Sequence, residues 1–139
     1  MDKLTEDQVV NYLMKWLSDQ GWTIDDFCLG HAKGIDISAS KGKEVLFVEA
    51  KGAKANNNSP IKKRAYFDSG QIKDHLGKAI VKSLETKIKY PNSMVAIAHP
   101  NDPYIFNICD KTLNELKALG VYKFWVADGQ VITNMPLLC

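Results

Sequence analysis

From Thr5 onward the apolar positions fall at helical spacing. Val9, Val10, Leu13, Trp16 and Leu17 form one stripe that stops before Gly21. Thr5 stands before that stripe and Gln8 lies three residues on, the spacing of a capping box, so a helix is expected to begin there. Glu6 precedes Val9 and Val10 by three and four residues and falls at the inward-facing edge of the stripe. A short strand is expected over residues 22–27. The period then changes from helical to alternating. Residues 34–52, GIDISASKGKEVLFVEAKG, predict two strands, 34–40 and 44–51, joined at Gly42 and Lys43, where glycine accepts the positive φ of a tight hairpin. Pairing Lys41 with Glu44 sets Ile37 opposite Val48 and Asp36 opposite Glu49. In that register Ile35, Ile37 and Ala39 share an apolar face with Leu46, Val48 and Ala50, while Asp36, Glu49 and Lys51 project from the other.

A second amphipathic helix is predicted over residues 69–87, with Ile72, Leu76, Ala79, Ile80 and Leu84 as its buried stripe; Asp68 and Gln71 repeat the capping-box spacing at its start. Met94 to Ala98 reads as a strand. Leu113, Leu116 and Leu119 read as the inner stripe of a helix ending at Gly120, and residues 121–127 as another strand. Asp128 and Gly129 make a turn before Val131 and Ile132, and residues 104–108 read as a short strand or part of an irregular crossover. This order gives an α/β fold, a mixed sheet flanked by helices, in a single domain over residues 1–139.

Composition sharpens the picture by exclusion. Eighteen basic and sixteen acidic residues leave a net charge of +2, so a nucleic-acid footprint has to be local. The change in character at residues 52–64, centred on KANNNSPIKKR, reads as a loop carrying Lys54, Lys62, Lys63 and Arg64. No apolar run is long enough to cross a bilayer and the opening MDKLTEDQ is unlike a secretory signal, so no membrane association is expected. Cys28, Cys109 and Cys139 have neither disulfide-framework nor zinc-site spacing, which fits a reducing cytoplasm. His31, His75 and His99 show no ligand spacing, and a zinc centre is not expected from them.

The chemistry concentrates on the polar face of the hairpin. Two carboxylates directly across a strand pair repel, and a divalent cation reverses that penalty. Asp36 and Glu49 are the hard oxygen ligands that suit Mg²⁺ or Mn²⁺, with the Ala50 carbonyl, waters and a phosphate oxygen available to complete an octahedron. Lys51 then stands beside the ion, placed to assist hydroxide formation or to meet charge developing on phosphate. Lys73, Lys78 and Lys82, together with the loop cations, would form a phosphate-tracking patch on and before the second helix; exposed lysines also serve as solubilising groups.

Through Asp36 in GID and the Glu49-Ala50-Lys51 ExK element, the sequence resembles the PD-(D/E)XK nuclease superfamily. Ile35 stands where the nominal signature has proline. The order of helix, short strand, Asp36 strand, Glu49/Lys51 strand and helix extends the resemblance through most of the chain. The resemblance implies a restriction-endonuclease-like core and Mg²⁺-dependent hydrolysis of DNA by an endodeoxyribonuclease, with Mn²⁺ able to substitute. By the same resemblance Asp36 and Glu49 match the metal-binding acids and Lys51 the catalytic lysine. Glu6 matches the acid from the first helix, and Gln71 a glutamine that orients phosphate or the lysine; Gln71 as a plain helix cap is the competing reading. A core this small is also compatible with a homodimer, like a Holliday-junction resolvase, or with a separate specificity protein. The alternative function is a non-catalytic nucleic-acid-binding or protein-interaction domain on the same core.

Overall fold

The computed structural model describes residues 3–30, 32–56 and 66–136. His31, Lys62, Lys63, Arg64 and Cys139 lie outside the described residues. The chain runs α1 (Glu6–Asp19), β1 (Thr23–Phe27), β2 (Ile37–Lys41), β3 (Glu44–Ala50), α2 (Ser69–Lys89), β4 (Met94–Pro100), α3 (Pro103–Leu116), a short 3₁₀ turn (Lys117–Leu119), β5 (Val121–Ala127) and β6 (Gln130–Thr133). The six strands form one open sheet in the order β1-β2-β3-β4-β5-β6. Pairing is antiparallel for β1–β2, β2–β3 and β5–β6, and parallel for β3–β4 and β4–β5. This is a mixed α/β fold with helices on both faces of the sheet. Among the described residues no helix is long and apolar enough to cross a membrane.

Two apolar layers hold the helices to the sheet. On one face Val9, Val10, Leu13 and Leu17 of α1 pack with Ile37, Ala39, Leu46, Val48, Ala50, Phe124 and Val126; Trp16, the fifth residue of the expected stripe, is half-buried at the edge of that layer. On the other face Ile72, Leu76 and Ala79 of α2 and Ile105, Cys109 and Leu113 of α3 cover Ile97, Val121 and Trp125. The two parallel connections, through α2 and then α3, are crossovers of one hand along successive strands, which puts both helices on the same face.

The hairpin has the expected register, Lys41 opposite Glu44 and Ile37 opposite Val48. Its turn glycine, Gly42, adopts φ 60°. Both capping boxes form: Thr5 with Gln8 at α1, and Asp68 with Gln71 at α2. Three details differ from the sequence expectation. Residues 104–108 are neither a strand nor irregular but lie in the opening of α3, the helical crossover from β4 to β5, where Asp102 caps the helix and Pro103 takes its first turn; Ile105, Cys109 and Leu113 recur every four residues as the buried face. Leu119 is exposed rather than part of the inner stripe, because the helix tightens to 3₁₀ geometry before Gly120. Ile35 does not join the α1-side apolar face, because the strand begins two residues later; it borders a small recess with Phe47, Glu49, Ser83 and Thr86.

Candidate functional site

The site lies at the C-terminal end of β3, on the face covered by α2. Asp36 immediately precedes Ile37, the last residue paired in the hairpin register, and its charge acts on Glu49. Both acids are buried. Asp36 is fixed to the neighbouring strand, its Oδ2 accepting the Ala50 N–H at 2.8 Å. Within an extended strand the N–H and C=O of one residue leave on the same side. The Ala50 carbonyl therefore points toward Asp36, whereas the Lys51 N–H points the other way and donates to Ala98 O at 2.9 Å.

Glu49 is shared between two lysines. Lys82 Nζ lies 3.1 Å from its Oε2 and Lys51 Nζ 3.9 Å from its Oε1. Lys82 also donates to Gly34 O at 2.7 Å, bracing α2 against the segment that leads into Asp36. Lys82 was expected to track phosphate; here its ammonium is held on the carboxylate. Burial draws Lys82 down, but the Glu49 carboxylate outweighs it and holds the ammonium above its ordinary range.

Glu6 reaches the same place from α1 because the chain leaving β3 is tied to the start of that helix. Ala53 N–H donates to Leu4 O at 2.7 Å, and Thr5 and Lys54 make a parallel bridge. The approach depends on Gly52: a Cβ there would stand 2.4 Å from the Glu6 backbone nitrogen and 2.8 Å from the Thr5 carbonyl carbon. Asp7 extends the tie, with its N–H donating to Asn56 Oδ1 at 3.1 Å and its Oδ1 accepting from Gly30 N–H at 2.9 Å.

The electrostatics record this crowding. Burial, then the Asp36 charge, push Glu49 up to about 7, with Lys82 and Lys51 opposing. Burial and the Asp36 and Glu49 charges likewise push Glu6 up to about 7, with Lys51 opposing. Three acids and Lys51 thus sense one another across a site that holds more negative charge than it neutralises. Among the described residues, no three His, Cys, Asp or Glu side chains converge closely enough to hold a metal ion between them. What the site offers is the Asp36 and Glu49 pair, with Glu6 behind it and the Ala50 carbonyl beside it.

Gln71 is engaged elsewhere in its capping box, its Oε1 accepting the Asp68 N–H at 3.0 Å and its N–H donating to Asp68 Oδ1 at 2.9 Å. That geometry is the cap reading of this residue. Lys73 and Lys78 are exposed on α2, while Lys54 reaches a cavity beside Lys51.

Two histidines join the site that sequence spacing did not single out. His75, from the first half of α2, lines that cavity with Lys51; burial, then Lys51 and Lys78, lower its pKa. His99 follows Ala98, the partner of Ala50, so it lies next to Lys51 on the same face of the sheet. It is fully buried, neither ring nitrogen has a hydrogen-bond partner among the described residues, and burial, Lys51 and His75 take its pKa down to about 3. The four-residue spacing of His75 from Gln71 and its place beside the Leu76 stripe were the signals available for the former. His99 had none, since it depends on the β3–β4 register.

The sequence matches no protein-family model, and comparison with curated proteins and with solved structures returns no match.

Proposed function

We propose that this protein is a divalent-cation-dependent endonuclease that hydrolyses DNA phosphodiesters, on a restriction-endonuclease-like core. One observation carries the reading: Asp36, Glu49, Glu6 and Lys51 gather at one end of β3, with Glu6 and Glu49 both raised to about 7 by burial and neighbouring carboxylate charge. Burying acids against one another is costly, and a bound cation is one way to relieve that cost.

The donors fit Mg²⁺ or Mn²⁺. Such ions are held by one or two carboxylates and keep several waters, so Asp36 and Glu49 suffice, with the Ala50 carbonyl and Glu6 in reserve. Bound there, the cation would supply charge neutralisation at phosphate and an activated water. The chain's own contribution is positional. The Ala50 N–H holds one Asp36 oxygen, Oδ2, and so fixes the carboxylate against β3. Lys51, only loosely held by Glu49, is free to turn its ammonium to a phosphate oxygen as charge develops on it. Lys82 must release Glu49, and its exposed side chain has room to do so. In the reaction a water oxygen bonds to phosphorus, the bond from phosphorus to the departing strand oxygen breaks, and that oxygen leaves with a proton.

The Lys82–Glu49 contact also favours a second reading, a binding domain in which lysines neutralise the acids permanently and no cation enters. One panel separates the two. Purified protein with Mg²⁺ or Mn²⁺ is offered linear duplex, single-stranded, flapped and four-way-junction DNA, and RNA. The nuclease cuts at least one of them, and Lys51→Ala abolishes cutting while its circular dichroism stays native. A folded wild-type protein that cuts nothing supports the binding domain.

A further inference from the structure

The cavity beyond Lys51 has a volume of about 240 Å³, and neither Asp36 nor Glu49 lines it. Its walls bring Lys51, Lys54, Asn56, Phe67 and His75 together, with Glu6 at the boundary to the acid site. Among the described residues no ion pair engages Lys54. Its backbone is anchored by the bridge to Thr5, which holds the residue at the cavity wall. Asn56 is pinned in turn by the Asp7 N–H. Phe67 stands edge-on to His75, ring centroids 4.6 Å apart at 83°, and its N–H donates to Ala53 O at 2.8 Å. The cavity therefore has a held aromatic ring, two cations on residues three apart, and a single carboxylate, Glu6, at its edge.

Those features sort the ligands. A simple anion needs the lysines but not the ring, and an apolar ligand needs the ring but not the lysines. A nucleotide uses both, because each base offers a π-face and each linkage an anionic phosphate. The volume lies just below the ~300 Å³ at which small-molecule sites usually begin, which suits one nucleotide and no more. We propose that this cavity is a single-nucleotide subsite: it takes the nucleotide adjoining the scissile phosphate, with Lys54 on that nucleotide's far phosphate and Phe67 against its base. The inference rests on the nuclease reading for the identity of the near phosphate, which Lys51 meets.

Calorimetry with defined probes tests it, at low salt and with Mg²⁺ present. Thymidine 3′,5′-bisphosphate should bind at least about tenfold more tightly than inorganic phosphate or thymidine 5′-monophosphate. Lys54→Ala should erase the gain from the second phosphate. Phe67→Leu, which keeps apolar volume but removes the ring, should erase about a tenfold preference over the corresponding abasic sugar bisphosphate. In cleavage assays both variants should raise KM more than they lower kcat, and an abasic residue placed successively along an oligonucleotide should weaken binding most at one position beside the cut. Bisphosphate binding no tighter than inorganic phosphate, or unchanged affinities in both variants, would overturn the subsite. If wild-type protein cuts no substrate yet binds the bisphosphate in a Phe67-dependent way, the nuclease reading falls and the subsite stands. If cutting is robust and neither variant alters KM or affinity, the subsite falls and the nuclease reading stands.

Discussion

Glu49→Gln separates the electrostatic cost of the site from its use. Glu49 is buried, and burial together with Asp36 raises its pKa from 4.5 to about 7. The sign follows from linkage. Below about pH 4.5 the group is protonated in both folded and unfolded chains and contributes nothing; between 4.5 and 7 the folded state holds the proton more strongly, so stability declines as pH rises; above 7 the full cost is present. A displacement of that size corresponds to on the order of 3 kcal/mol between the two limits. Lys82 and Lys51 already oppose the shift, so the loss of their attraction on substitution is contained within it. Glutamine keeps the shape and removes the charge. Urea unfolding of Glu49→Gln and wild type at pH 4.5, 6 and 8 should therefore show the variant gaining on wild type as pH rises, by roughly 2–3 kcal/mol across the series. Adding Mg²⁺ at pH 8 should close the gap by stabilising wild type alone, since a cation that binds only the native state stabilises it by mass action. A variant that loses stability relative to wild type as pH rises, or a stability difference independent of pH, would refute the claim that the carboxylates are held together at a cost.

Three other substitutions test separate parts of the structure. Lys82→Met removes the cation nearest Glu49, and because its side chain is substantially exposed the effect is screened; Mn²⁺ affinity at pH 8, read by paramagnetic resonance, should rise about five- to tenfold, whereas a fall would mean that Lys82 helps build the site. Gly52→Ala drives a methyl into the Glu6 backbone, so it should cost about 1–3 kcal/mol in urea unfolding and lower cutting more than a surface glycine change such as Gly77→Ala; equal effects would remove Gly52 from the account. Leu13→Ala opens the α1 layer beneath the site and should cost about 2–5 kcal/mol, with a value under 1 kcal/mol showing that α1 is not packed as described.

The β2–β3 hairpin was legible because its information is local. A period of two and a glycine turn fix which side chains share a face, and from that Asp36, Glu49 and Lys51 were placed together. The capping boxes were legible for the same reason, each being contained in four residues. The start of α3 was misread because Tyr104, Ile105, Phe106 and Ile108 carry strand-favouring side chains, and the Asp102 cap with Pro103 after it was the stronger signal. The remainder of the site was not legible in any window. His99 reaches Lys51 through a parallel register between strands more than forty residues apart, and Lys82 reaches Glu49 only once the α2 crossover is laid over the sheet. Glu6 was suggested by its helix edge, but its approach is set by Gly52 and the Thr5–Lys54 bridge, a contact between the chain's start and the exit of β3.

Anomalous diffraction from crystals grown with Mn²⁺ tests the central claim most directly. The account predicts one Mn²⁺ peak between Asp36 and Glu49, with carboxylate oxygens at roughly the 2.0–2.1 Å typical of a small hard cation and Lys82 drawn away from Glu49. A well-ordered site in which Lys82 remains on Glu49, with no peak there at millimolar Mn²⁺, would contradict it.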